Sequence, residues 1–345
     1  MARRRVTSRD VAEKAGVSRT TVSFVLNEVE GVRISEETRQ RVFAAAQELG
    51  YVPNAAAQAL VSRRTRIIGL VFSRSYHHLT SDDFLLQIVD GLLDVVRQHG
   101  IRLLLDSVEN WDQEDAYLSL ARAKRIDGII ISLPRSDDRE LSVLVEEGFP
   151  VVLIGRLPGV NICSVDVDNR AAARAAVEHL LSLGHTRIGC ITNGAPSFIA
   201  ASDRLLGYQE ALATADIPYD EALVRYGNYS PKSGFEAMTS LLQEPVLPTA
   251  VFVASDVVAF GAMAAIHEYK LKIPDDIAVI GFDDVPLSRF FYPPLTTIHL
   301  PAAELGRKAG ELLFDLILQQ VEPGRQVLLD TDLVVRASSS RETRI

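Results

Sequence analysis

The chain has 345 residues, is 47% hydrophobic and 23% charged, and carries a net charge of −9. Its length implies two or three domains, its composition is that of a globular protein, and its apolar runs are strand-length, too short to span a membrane. The two cysteines, Cys163 and Cys190, lack metal-ligand spacing and give no disulfide framework, and no apolar segment follows "MARRRVTSRD", so a reducing compartment and no secretory signal are expected.

Charge is unevenly distributed. Residues 1–66 hold 12 Lys or Arg against 7 Asp or Glu, whereas the remainder holds 24 against 38. A basic head on an acidic body points to a head that meets a polyanion. A solubilising arm is the plainer alternative.

The head opens with Thr7 and Asp10 at capping-box spacing, ahead of a small apolar face of Val11, Ala12 and Ala15. Gly16 fits a left-handed helix end, and Ser18 is a good cap for the next helix. Two short helices joined by a tight glycine turn predict a helix-turn-helix, with 18–26 entering a major groove. A third helix follows: Ser35 as cap, Glu36 and Glu37 in the first turn, Val42, Ala46 and Leu49 inward, Gly50 as terminator. On the second helix Val22, Val25 and Leu26 share one face, and Thr20, Ser23, Phe24 and Asn27 share the other. There Arg19 could bond guanine or phosphate, Thr20 a base edge or thymine methyl, and Ser18, Thr21 and Ser23 phosphates. Phe24 has two readings: an outward ring meeting a thymine methyl, or a ring packed on the third helix or an arm.

Pro53 breaks what precedes "NAAAQAL", a segment of about two helical turns, too short to hold alone in water. Such a segment orders on binding, and Leu60 beside Arg63, Arg64 and Arg66 has the make-up of a minor-groove wedge. An Ala-rich linker is the plainer reading.

"TSRDVAEKAGVSRTTVSFVLN" followed by "YVPNAAAQAL" closely resembles the DNA-binding headpiece and hinge helix of the LacI/GalR family of bacterial transcription regulators. Both pieces stand at the family's spacing, and the resemblance extends over essentially the whole chain. It implies base-reading positions at Arg19, Thr20 and Phe24, and a hinge helix lined by Asn54, Ala57, Gln58 and Leu60, with Leu60 as an intercalating lever. The expected DNA-contacting set is thus Thr7, Ser18, Arg19, Thr20, Thr21, Ser23, Phe24 and Asn27, with Asn54, Ala57, Gln58 and Leu60 in the hinge. Many members carry arginine or histidine where Phe24 stands, so the operator is expected to differ there.

Beyond the hinge, strand and helix alternate. Apolar runs at 67–72, 101–105, 128–131, 150–155, 187–192, 222–226, 249–254 and 277–283 are separated by amphipathic stretches. This is the pattern of parallel sheets covered on both faces. The first two runs of each group start 34 residues apart, Ile67 to Ile101 and Ile188 to Ala222, which predicts two similar lobes meeting near 162–168. "PPLTTIHL", a helix at 301–320 and a strand at 326–336 predict further crossings. The expected fold is α/β: a helix-turn-helix headpiece (1–50), a hinge helix or linker (51–65), and a two-lobed body (66–340) with parallel sheets, resembling periplasmic binding proteins. Lobe one is expected at about 66–162 plus 296–325, and lobe two at about 166–292 plus 326–340.

In open α/β sheets ligands lie beyond the carboxyl ends of the strands. The runs end in Ser73–Arg74, Asp106–Ser107, Arg156, Asn193, Asn228–Tyr229, Ser255–Asp256 and Asp283–Asp284. Singly, each could be a helix cap; together they suit a polyhydroxylated ligand. The resemblance implies an effector set of Phe84, Arg156, Arg204, Tyr229, Ser255, Asp256 and Asp283. Arg204, in "DRLLGY", matches the family's effector-binding arginine, Ser255 replaces a ligand-bonding asparagine, and Tyr229 stands where some members stack a sugar.

Enzyme motifs are missing from the sequence: no P-loop, no Gly-x-Gly-x-x-Gly after a strand, no Gly-x-Ser-x-Gly. His77–His78 reads as a polar loop tip and His185 as part of a structural turn. No catalytic residue, metal or cofactor is expected. The expected function is a cytoplasmic repressor that binds a palindromic double-stranded DNA operator as a homodimer and is gated by a sugar or sugar-derived effector. The segment "FLLQIVDGLLDVV" (84–96) has more apolar residues than one buried face needs, which suits a dimer surface. Without a heptad tail, no coiled-coil tetramer is expected. The rival reading is a cytoplasmic sugar-binding protein or sugar-processing enzyme with an accessory DNA-binding head.

Overall fold

The computed structural model describes residues 6–27, 31–52, Gln58, 64–73, 82–108 and 117–340. The expectations for Asn54, Ala57, Leu60, Arg63, Arg74, His77 and His78 lie outside these residues.

Three helices make the headpiece. In α1 (Ser8–Ala15) the Thr7 N–H donates to the Asp10 carboxylate at 2.8 Å, one arm of the capping box. The helix ends at Gly16, whose φ of 67° is a left-handed conformation that glycine adopts without strain. In α2 (Arg19–Leu26) the Ser18 hydroxyl accepts the Thr21 N–H at 3.0 Å. Ser35 does the same for the Thr38 N–H at the start of α3 (Glu36–Leu49). Val11, Ala12 and Ala15, Val22 and Val25, and Val42, Ala45 and Ala46 form the shared core. Small residues at its centre let three short helices approach closely.

The body holds twelve strands among the described residues: β1 (Ile67–Phe72), β2 (Arg102–Ser107), β3 (Gly128–Ser132), β4 (Val151–Ile154), β5 (Cys163–Val167), β6 (Ile188–Thr192), β7 (Val224–Tyr226), β8 (Ala250–Val253), β9 (Ala278–Asp283), β10 (Thr296–His299), β11 (Gln326–Leu329) and β12 (Asp332–Val334). They form two six-stranded sheets, ordered β11-β5-β4-β3-β1-β2 and β12-β10-β9-β8-β6-β7. The order in the two sheets is closely analogous. All pairings are parallel except β10 with β12. Every residue of β3, β4, β6, β8 and β9 is buried, as central strands covered on both faces must be, while the edge strand β2 is half-exposed.

The expected division of the tail needs correction. Thr296–His299 pairs with β9 in the second lobe, and Gln326–Leu329 pairs with β5 in the first, the reverse of the expected ranges. The reason is local bonding: the Thr297 hydroxyl donates to Asp256 at 2.6 Å and the Thr296 N–H donates to the Ser338 hydroxyl at 2.7 Å, both within lobe two. The single strand expected at 326–336 breaks at Asp330–Thr331 into two, one for each sheet. β5 was not among the expected strands, because buried Ser164 and Asp166 interrupt its apolar pattern. The chain therefore crosses between lobes three times: after β5, after β10 and between β11 and β12.

The apolar surplus at 84–96 is largely consumed within the chain. Phe84, Leu85, Ile88, Leu92, Val95 and Val96 are buried in helix Asp83–His99, and helix Ala302–Ile317 lies against it. A Cβ on Gly91 would fall 1.8 Å from the Ala303 carbonyl oxygen, and one on Gly306 2.1 Å from that of Ile88, so the two backbones touch. Leu86 remains exposed. Among the described residues no helix is long and apolar enough to cross a membrane.

Candidate effector cleft and nucleic-acid interface

The carboxyl ends of β3, β4 and β5 meet helix Ile199–Thr214 of the second lobe at a cleft lined in part by Phe84, Ser132, Leu133, Arg156, Asp166, Asn169 and Arg204. The lobes are closed on each other. Arg156 of lobe one makes a forked ion pair with Asp203 of lobe two, with Nε and Nη2 at 2.8–3.1 Å from the carboxylate oxygens. The Ser136 N–H donates to the Ser197 carbonyl at 2.9 Å, and Leu133 packs against Phe198, Ala201 and Tyr229. The space left between them is about 40 Å³, room for a few waters. A sugar-sized guest requires the lobes to part.

Arg204 is the buried cationic centre. Its Nε donates to the Asn169 side-chain oxygen at 2.9 Å and its Nη1 to the Ala254 carbonyl at 2.6 Å, with Asp283 at 3.5 Å. Its guanidinium carbon lies 3.7 Å from the centre of the Phe282 ring, a cation–π contact. Burial pushes the Asp283 carboxyl up from its ordinary range, while Arg204 pulls it down. Ser255, buried at the start of the helix after β8, also favours the charged form of that carboxyl. Asp283 has a φ of 122°, a strained conformation for a non-glycine residue, of a kind that clusters at functional sites.

Asp256 stands apart from the expected effector set. Its carboxylate accepts the Val285 N–H at 3.0 Å and the Ser288 and Thr297 hydroxyls at 2.6 Å each. It is fully buried and braces the loop after β9. Tyr229 is buried with φ 46°, accepts a bond from the Asn193 amide at 3.1 Å and sits edge-on to Phe198 at 5.3 Å. Of the expected effector set, Phe84, Arg156 and Arg204 line the cleft; Tyr229, Ser255 and Asp283 lie outside its lining, as do Asp106, Ser107 and Asn228, and Asp284 turns away to Arg336 and His299. The sequence reading missed Asp166, Asn169 and Asp203. Burial pushes Asp166 up to about 6, against the Val167 N–H and Arg156. The signal for it was "SVDVDN": a strand too polar to be recognised as one.

Three of the buried side-chain atoms without a partner lie at strand ends in the body: Ser73 Oγ after β1, Ser132 Oγ in β3 and Asn193 Oδ1 after β6. No group of three or more His, Cys, Asp or Glu side chains that could hold a metal occurs among the described residues.

On the headpiece, Ser18, Arg19 and Thr20 are exposed at the start of α2, and Phe24 is half-buried outside the core formed by the described residues. The Thr21 hydroxyl is 2.9 Å from that of Ser18, and the Asn27 amide donates to the Ser23 hydroxyl at 3.1 Å. Arg19 and Thr20 carry the exposed polar groups at the amino end of this helix, the end that reads base edges in such motifs. Thr7 is bonded to Asp10, and Gln58 is half-buried.

Residues 7–54 match the family model described as bacterial regulatory proteins of the lacI family, and 177–339 match a periplasmic binding protein-like domain. The chain is 36% identical over 339 residues to the HTH-type transcriptional regulator CelR of Thermobifida fusca, covering 97% of this chain and 99% of that protein. This chain belongs to the LacI family. It is 34% identical to the HTH-type transcriptional repressor PurR of Escherichia coli over 337 residues, 96% of each chain. Among solved structures it resembles the lac repressor dimer bound to operator and the anti-inducer ONPF (TM-score 0.84, 34% identity, 98% and 100% coverage). It also resembles a CelR–cellobiose complex (TM-score 0.73, 34% identity, 97% and 100% coverage). As a LacI-family member the chain is a sequence-specific DNA-binding regulator and not an enzyme.

Proposed function

We propose that the chain is a cytoplasmic repressor that binds a near-palindromic operator as a homodimer and is gated by a sugar or sugar-derived effector held between the lobes. Two copies of α2 enter successive major grooves, with Arg19, Thr20 and Phe24 facing base edges. The hinge helices meet in the central minor groove, where Leu60 is the wedge. Phe84, Arg156, Arg204, Tyr229, Ser255 and Asp283 form the effector set, and Asp256 holds the loop that presents Asp283.

The observation that carries the effector reading is the unpaired buried hydroxyl of Ser132 in the cleft lining, with two further unpaired buried atoms, Ser73 Oγ and Asn193 Oδ1, at the carboxyl ends of β1 and β6. Each such atom costs about 1–3 kcal/mol. A polyhydroxylated ligand supplies both donors and acceptors and offsets that cost. The likeness to a regulator solved with cellobiose supports the same class.

The test selects operator duplexes from a random pool with the full chain, then screens cellobiose and other neutral mono- and disaccharides by thermal shift and by operator titration. One sugar should raise the melting midpoint and change operator affinity about tenfold or more, a difference of roughly 1.4 kcal/mol. Sugars that bind without moving operator affinity would remove the gating. Sedimentation of a stable monomer at micromolar concentration would refute the dimer, and unchanged operator affinity in Leu60→Ala would leave Leu60 a linker residue.

A further inference from the structure

Where the hinge enters the body, two adjacent residues are bound to a third that is distant in sequence. The Asp127 carboxylate accepts the Thr65 N–H at 2.6 Å, the Thr65 hydroxyl at 2.9 Å and the Arg66 N–H at 2.7 Å. The grip is reciprocal, because the Asp127 N–H donates to the Ile67 carbonyl at 2.7 Å. Asp127 directly precedes β3, and Thr65 and Arg66 directly precede β1, its neighbour in the first sheet. The Arg66 carbonyl in turn accepts the Arg102 N–H at 2.9 Å, tying in β2.

Two features set this contact apart from ordinary strand pairing. Arg66 has a φ of 58°, a left-handed conformation that a non-glycine residue keeps only where its surroundings fix it. Arg66 is also exposed and Thr65 half-buried, so water could satisfy these N–H groups and the carboxylate is not required to prevent an orphaned donor. What the carboxylate adds is direction. Two charge-assisted bonds to successive amides and one to a hydroxyl hold the exit of the chain at one angle.

We propose that Asp127 is a positioning residue for DNA binding: its carboxylate fixes the direction in which the hinge leaves lobe one, so the posture of that lobe reaches the operator through this clamp. The inference rests on the reading of the chain as a gated operator-binding regulator.

The experiment uses the full chain, its Asp127→Asn and Thr65→Val variants, the operator duplex selected by the wild type, and a random duplex at the same salt. Amide exchange at Thr65 and Arg66 reads the clamp directly. In Asp127→Asn these amides should exchange faster and operator affinity should fall about tenfold, with random-duplex affinity and the body's melting midpoint nearly unchanged. Thr65→Val, which loses one of the three bonds to Asp127 and the hydroxyl that accepts the Ile67 N–H at 3.2 Å, should lower operator affinity about threefold. A merely structural role would lower the melting midpoint and leave the ratio of operator to random affinity constant. Operator affinity within about twofold of wild type despite faster exchange would overturn the proposal. Should Asp127→Asn fail to fold, Thr65→Val decides alone, and unchanged operator affinity there overturns it. A wild type that selects no operator would instead overturn the underlying reading, and the clamp with it.

Discussion

At the cleft, the second lobe has most of its polar groups bonded to one another, whereas the first lobe leaves two buried hydroxyls unpaired and reaches across the gap with an arginine. In lobe two Arg204 is fixed by Asn169, Ala254 and Phe282, and Asp256 by Val285, Ser288 and Thr297. In lobe one the Ser73 and Ser132 hydroxyls have no partner, and Arg156 reaches over to Asp203. Analogous strand orders underlie both, so the contrast lies in side chains and not in topology. A preorganised half loses little freedom when a ligand docks, and an adaptable half closes over it. Removing a bonded group from lobe two should therefore cost stability, binding or both, whereas removing an unpaired hydroxyl from lobe one should cost binding with little effect on the fold.

The largest effect is expected from Asp256→Ala. It leaves an N–H and two hydroxyls without their acceptor in a fully buried site, and loss of about 3–5 kcal/mol of stability is expected in denaturant titrations. A loss below about 1 kcal/mol would mean the network is not what holds the loop.

Asp166 gives the first lobe's counterpart. Burial holds its carboxyl at about 6 against an ordinary 3.8, so the folded state binds this proton more tightly than the unfolded chain. The associated stability is fully present below the ordinary value and is lost as pH rises through the folded one. It amounts to roughly 3 kcal/mol at most. Melting followed from pH 4 to 7 should show that decline in the wild type and a flatter profile in Asp166→Asn; parallel profiles would remove Asp166 as its source.

Arg204→Ala should lower affinity for whichever sugar of the panel binds the wild type by about tenfold or more, since charge-assisted bonds contribute roughly 1.5–3 kcal/mol. Operator binding without effector should survive. Calorimetry showing unchanged sugar affinity in a folded variant would place Arg204 outside the site. The smallest effect on the fold is expected from Ser132→Ala, which removes an unpaired hydroxyl: stability within about 1 kcal/mol of wild type, or slightly above it, with sugar affinity reduced a few-fold. If sugar affinity does not change, the first lobe's unpaired hydroxyl is not a ligand contact.

The headpiece and the central strands were legible in the sequence because each follows one periodicity. Val22 and Val25 point inward at helical spacing, and "GIII" and "PVVLIG" are continuous apolar runs. β5 was not legible, because Asp166, which lines the cleft, and Ser164 interrupt its apolar pattern. The cleft itself was legible in part. Arg204 and Asp283, expected in one cleft, lie 3.5 Å apart, and Arg204 is also held by Asn169, which pattern gave no reason to single out. Asp256 was placed among the ligand contacts by resemblance to the family; sequence shows that a carboxylate follows β8, not what that carboxylate bonds. The Arg156–Asp203 pair joins residues 47 apart, and no local signal announces it.

β11 and β12 are separated only by Asp330 and Thr331, yet they complete different sheets. A ribosome delivers both within the stretch Gln326–Val334, after nearly all of the remaining chain has emerged. Until then β5 and β10 each present an uncovered edge, the kind of surface that pairs with stray strands and that chaperones shield. The first lobe, whose other strands are synthesised well before the second sheet begins, therefore cannot finish ahead of it. Both lobes of the body reach completion together, in the last moments of synthesis, and a protein cut short before Gln326 would be doubly unfinished.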